Sequence, residues 1–240
     1  MAIHDDFTGK TALITGAAGN LGRAVVDAFA ARGANLALVV RDVGKAQGAL
    51  GAPSPRLAYF AADLLDAAQV EAAVAGAAAR FGAIDVVCNL AGGFRMGPPV
   101  HETPDADWEF LLDLNARTLL HTARAVVPVL RANGQRGGKI VNVGAFAAQK
   151  GVAHMGAYVA AKSAVIRLTE AMAAELRAHG INVNCVLPTI IDTPENRKSM
   201  PDADPAKWVA PADLASVIVF LASPAARAIH GAALPVTGLS

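Results

Sequence analysis

Short, almost continuous apolar runs alternate along the chain with longer segments whose apolar positions recur every three to four residues. The first pattern marks strands buried on both faces, the second amphipathic helices. Thr11–Thr15 (TALIT) reads as a strand and residues 21–32 as the helix after it. Strands follow at residues 36–40 (LALVV) and 57–61, with an Ala-rich helix over 67–81. Residues 84–88 (IDVVC) form the next strand, and a long helix spans about 104–132. That helix is expected to bend near Pro128, because proline removes a backbone donor. Residues 139–143 (KIVNV), a second long helix over 155–179, and a strand at 181–186 (INVNCV) continue the series. A helix over 211–221 and a short strand near 233–236 complete it.

Such alternation implies right-handed βαβ units. The expected fold class is α/β: one doubly wound Rossmann-type domain over residues 1–240, with a mainly parallel seven-stranded sheet and helices on both faces. Residues 188–210 interrupt the pattern. They are rich in Pro, Asp, Lys and Asn, and a connection of that length is expected to be a substrate loop.

Composition narrows the function. Of 240 residues, 54% are hydrophobic and 17% charged, which gives a large core. The net charge of +1 offers no field for capturing nucleic acid or an anionic membrane. No uninterrupted apolar run reaches the length of a membrane span. The first ten residues carry His4, Asp5 and Asp6 and lack the basic-then-apolar pattern of a leader, so the cytoplasm is expected. Cys88 and Cys185 sit in apolar runs and read as buried thiols. His101 and His121 form no ligand set, and no metal site is expected.

Chemistry enters after the first strand. Gly16-Ala17-Ala18-Gly19-Asn20-Leu21-Gly22 leads from strand to helix. There, glycines let a pyrophosphate approach the backbone, and a helix N-terminus presents free N–H groups. An acidic residue at the end of the second strand would select NAD through the ribose 2′-OH. Here Val40 is followed by Arg41, which favours a 2′-phosphate and so NADP (NADPH) over NAD, unless Asp42 takes the carboxylate role. Tyr158 and Lys162 stand at i and i+4 of the second long helix, on one face. An ammonium beside a phenol is expected to lower the tyrosine pKa and prepare it for proton transfer.

Tyr-Val-Ala-Ala-Lys together with the N-terminal glycine loop resembles the short-chain dehydrogenase/reductase family over essentially the whole chain. The resemblance implies NAD(P)H-dependent hydride transfer with Tyr158, Lys162 and Asn115 as catalytic residues. It implies cofactor contacts from Gly16, Gly19, Asn20, Leu21, Gly22, Arg41, Asp63, Asn89, Ala91, Gly92, Tyr158, Lys162, Pro188 and Thr193. It also implies a homotetramer or homodimer built on the long helices. Leu90 and Thr189 stand where Asn and Gly are usual. Gly19-Asn20 replaces a pattern in which glycine comes second, and Asn is expected to tolerate a left-handed backbone there.

The largest departure is at Ala145, thirteen residues before Tyr158, where the family's catalytic serine is usual. Losing one such polarising donor costs about 10²–10³ in rate. Another group substitutes, the substrate needs little polarisation, or the protein binds nucleotide in a regulatory role without turnover. His154 and Gln149 are candidate replacements near the substrate, and Phe94 with Met96 a candidate apolar wall. The dihydropteridine reductase branch also lacks this serine. The chain resembles that branch at residues 19–22, 91–94, 144–162, 186–188 and 192–201, with Val40-Arg41 as a departure. A quinonoid dihydropterin is therefore one implied substrate, and a general ketone or 3-oxoacyl substrate the alternative. Trp208 is expected to pack, and Arg197 and Lys198 to face solvent.

Overall fold

The computed structural model describes residues 6–240; His4 and Asp5, part of the segment read as lacking a leader, lie outside the described residues. Seven strands form one sheet: β1 (Thr11–Thr15), β2 (Asn35–Val40), β3 (Leu57–Ala61), β4 (Val86–Asn89), β5 (Gly138–Val143), β6 (Ile181–Pro188) and β7 (Ala233–Val236). Their order is β3-β2-β1-β4-β5-β6-β7, and every pairing between them is parallel. The order turns back between β1 and β4, which opens a crevice at the carboxyl ends of those strands.

Eight α-helices flank the sheet: α1 (Asn20–Ala30), α2 (Val43–Leu50), α3 (Ala67–Phe81), α4 (Asp105–Leu112), α5 (Thr118–Ala132), α6 (Gly156–Leu176), α7 (Pro194–Ser199) and α8 (Pro211–Ala222). Successive strand residues point to opposite faces, so each strand feeds two cores. Leu13 and Val39 join Val74 of α3, Val126 of α5 and Ile166 of α6. Their neighbours Ile14 and Leu38 join Phe29 of α1 and Ile218 of α8. A fully buried Leu or Ile contributes about 1.5–3 kcal/mol, so these two layers fix the sheet between its helices.

Three expectations change. The predicted helix over residues 104–132 is broken at a π-helical turn, Asp113–Arg117, and not at Pro128. Pro128 lies exposed inside α5, where water can solvate the carbonyl left without its donor. Residues 43–50 form a helix that the apolar pattern missed; its signal is Asp42, whose carboxylate caps the Lys45 amide at 3.0 Å. Within the 188–210 loop, Thr193 caps the Asn196 amide at 3.1 Å and Pro194 occupies the first turn, starting α7. The loop closes on itself through Val209 N to Ile190 O and Asp192 N to Val209 O, both 2.9 Å.

Candidate active site

Parallel strands bring every predicted site residue to one edge of the sheet. At that edge the chain leaves β1 through Gly16, whose φ of +67° belongs to glycine. A Cβ there would lie 2.7 Å from the Ala91 amide, and one on Gly22 would lie 2.2 Å from the Gly16 carbonyl. These two glycines are dictated by packing of the turn against β4 and by α1 closing on β1. Gly19 is different: a Cβ there would meet only the Gly16 carbonyl, at 3.4 Å. Gly19 starts α1 with no side-chain cap, and the first backbone bond runs from Arg23 N to Gly19 O. The amides of Asn20, Leu21 and Gly22 therefore face outward, an uncapped helix start suited to a pyrophosphate. Asn20 is the first residue of α1 and has no positive φ, so the left-handed backbone expected there is absent. Its departure from the family pattern costs the turn nothing.

At the end of β2, Arg41 is exposed. Asp42 is committed elsewhere: its carboxylate caps α2 and pairs with Lys45 at 3.7 Å. Asp63, after β3, is exposed and accepts from the Leu65 amide at 2.9 Å. Asn89 ends β4 and borders the cleft. Its side chain is buried and donates to Asn142 Oδ1 at 2.8 Å, and Asn142 donates to Thr169 at 2.9 Å. That chain joins β4, β5 and α6 beneath the site. Asn89 Oδ1 finds no partner among the described residues.

Lys162 and Asn115 converge at Gly92, and Tyr158 stands one turn before Lys162 on α6. A Cβ on Gly92 would lie 3.0 Å from Lys162 Nζ and 2.8 Å from Asn115 Oδ1, so only glycine admits both. Asn115 is buried in the π-helical turn. Its Nδ2 donates to Leu111 O at 3.0 Å, the carbonyl an α-helix would give to the Asn115 amide. This side-chain competition coincides with the widened turn. Lys162 is buried on α6 and donates to Val143 O at 2.9 Å. Burial lowers its pKa from 10.5 to about 8, partly offset by the Cys185 thiol. Burial also pushes Tyr158 up from 10.0 to about 12. The expected lowering of the tyrosine by lysine is therefore reversed: loss of water around a phenolate outweighs an ammonium that is turned to Val143.

Ala145 is buried where β5 ends. His154 is exposed in the turn before α6, with φ +62°. It does line a crevice with Arg95, Met96, Leu111, Met155 and Tyr158. Gln149 is exposed at the end of a 3-10 turn and makes no side-chain hydrogen bond among the described residues. Phe94 packs edge-on to Tyr158, ring centroids 4.9 Å apart, and remains 57% exposed. Trp208 is buried, and Arg197 is tied to Asp192. Pro188 is buried at the end of β6. The Thr189 hydroxyl donates to Thr237 O at 3.0 Å, bracing the loop against the C-terminal segment.

One contact was not legible in the sequence: Asn20 Nδ2 donates to Glu195 Oε2 at 2.7 Å across 175 positions. No signal short of the tertiary structure pairs them.

The family model for short chain dehydrogenase matches residues 10–204. D-threitol dehydrogenase of Mycolicibacterium smegmatis is 36% identical, over 99% of this chain and 96% of its own. Carveol dehydrogenase from Mycobacterium avium, solved in complex with NAD, superposes with a TM-score of 0.87 at 28% identity, covering 96% of this chain and 97% of that one. The 3-ketoacyl-(acyl-carrier-protein) reductase from Brucella melitensis, complexed with NADH, gives 0.86 at 30% identity over 97% and 98%. No helix among the described residues is long and apolar enough to cross a membrane. With the sheet order, the uncapped glycine loop and the Tyr158, Lys162 and Asn115 cluster, these matches establish that the chain belongs to the short-chain dehydrogenase/reductase family of NAD(P)-dependent oxidoreductases.

Proposed function

We infer that the protein reduces a carbonyl or quinonoid small molecule, with Tyr158 supplying the proton. The observation that carries this is the convergence at Gly92, where a Cβ would lie within about 3 Å of both Lys162 Nζ and Asn115 Oδ1. A bound nicotinamide cofactor would supply the hydride. Gly19, Asn20, Leu21 and Gly22 would hold its pyrophosphate, Asp63 and the Ala91-Gly92 segment its adenosine side, and Pro188 to Thr193 its carboxamide end. Tyr158 carries its proton at neutral pH, and its burial makes it a weaker acid than a free phenol until the site is filled. Lys162 would hold the cofactor's ribose hydroxyls, and Asn115 fixes the Gly92-Gly93 segment.

The phenylalanine variant Tyr158→Phe tests the assignment. Turnover should fall by about 10³ or more while cofactor affinity, read by nicotinamide fluorescence, stays within twofold. Unchanged turnover in that variant would remove Tyr158 from the reaction.

NADPH is the proposed cofactor, because Arg41 is exposed at the end of β2 and Asp42 is engaged as a helix cap. Two substrate readings stand. The buried methyl of Ala145, in place of a hydroxyl, favours a conjugated acceptor such as a quinonoid dihydropterin, which needs little polarisation. The relatives, named for polyol, carveol and 3-ketoacyl substrates, favour a general ketone or 3-oxoacyl reductase. Assay of both substrate types side by side separates them. A homotetramer or homodimer is proposed through α4 and α5, where Trp108, Phe110 and Leu120 are partly exposed. The cytoplasm is the proposed location.

A further inference from the structure

The Glu195 carboxylate reaches the helix start that the proposed cofactor reading gives to a pyrophosphate. Oε2 accepts from Asn20 Nδ2 at 2.7 Å, at the first residue of α1. The Glu195 amide and the Asn20 side chain hold the carboxylate's pKa below the usual range. No cation neutralises Glu195 among the described residues. Arg197, two positions on, is engaged by Asp192 through Nε at 2.6 Å and Nη2 at 2.7 Å. Asn20 and Glu195 are both exposed, so the contact is free to exchange with solvent or ligand.

We propose that Glu195 is an affinity-setting residue: its carboxylate, held on Asn20, competes with the cofactor's pyrophosphate for the donors at the start of α1, and binding exchanges one anion for the other. The inference rests on the nicotinamide-cofactor reading. Like charges cannot share these donors without repulsion, so Glu195 either leaves or opposes the incoming phosphates. Both routes weaken binding, and both act equally on any ligand carrying the pyrophosphate. Arg41 lies at a different strand end, so it is expected to act on the 2′-phosphate alone.

The test measures dissociation constants for NADH, NADPH and ADP-ribose by calorimetry, on the wild-type chain and on Glu195→Gln and Glu195→Ala. Both substitutions should tighten all three ligands by a common factor of about two to five, the range of an exposed charge near a helix start. The gain should shrink in 0.5 M salt, since the Debye length falls to a few ångströms. Unchanged or weaker binding in both variants overturns the proposal, and weaker binding would make the Asn20–Glu195 bond a clasp that helps retain the cofactor. A factor present for NADPH and absent for ADP-ribose also overturns it. If the wild-type chain binds none of the three ligands, the cofactor reading itself fails, an outcome distinct from any of these.

Discussion

Asn115 grips both backbone polar groups of Gly93: Oδ1 accepts from the Gly93 amide at 3.1 Å, and Nδ2 donates to the Gly93 carbonyl at 3.1 Å. This two-point clamp sets where the chain goes after β4, and so where Gly92 and Phe94 stand. Gly92 admits Lys162, and Phe94 packs on Tyr158. A π-helical turn thereby fixes a strand-end loop and through it the acid and its lysine.

Asn115→Ala should therefore cost both stability and turnover. It removes the clamp and leaves the Gly93 amide and the Leu111 carbonyl without their partner. Unsatisfied groups of this kind cost about 1–3 kcal/mol each, so the urea midpoint should fall measurably at unchanged slope. The drop in kcat should exceed tenfold. Wild-type kcat in a destabilised variant would show the clamp to be structural only.

Lys162 gives the stability curve a shape at alkaline pH. Its folded pKa of about 8 lies below the 10.5 of an exposed lysine. The folded state binds the proton less well than the unfolded chain does. Stability is therefore lowest below pH 8 as regards this group, rises between pH 8 and 10.5, and is constant above. The full difference is on the order of 3 kcal/mol. Lys162→Met should raise stability at pH 7 and flatten that rise, while activity is lost. A Met variant no more stable than wild type at pH 7 would contradict the burial cost.

Ala145→Ser offers a direct test of the substrate class. Restoring the hydroxyl should raise kcat on unactivated ketones by about 10–10³, the range for one polarising donor. Reduction of a quinonoid dihydropterin should change less than threefold. Equal gains on both would show that the native substrate also depends on carbonyl polarisation.

Arg41→Ala addresses cofactor choice. Removing a guanidinium from a 2′-phosphate should lower kcat/KM with NADPH by about tenfold or more and leave NADH within twofold. Equal losses would place Arg41 outside the 2′-phosphate site.

Much of the architecture is local information. Short, almost continuous apolar runs located all seven strands, because burial on both faces leaves few polar positions within a strand. Glycine spacing between β1 and α1 marked the cleft, since backbone close to backbone excludes a Cβ. Tyr158, Lys162 and Asn115 were named by motif, and so was the absence at Ala145. The short helices α2 and α7 escaped the periodicity because their signals are single capping residues, Asp42 and Thr193. What only the tertiary structure decided are relationships across distant segments. Asn89 bonds to Asn142 because Asn142 lies beside it on β5. The Tyr158 pKa is raised because burial disfavours the phenolate, while the lysine is drawn to Val143. Asn20 meets Glu195 because the loop after β6 folds back over the first turn of α1. Sequence determines which groups the chain carries and how each segment repeats. Dielectric environment, hydrogen-bond partners and competition between them belong to the folded geometry, because each depends on atoms contributed by segments far apart in the chain.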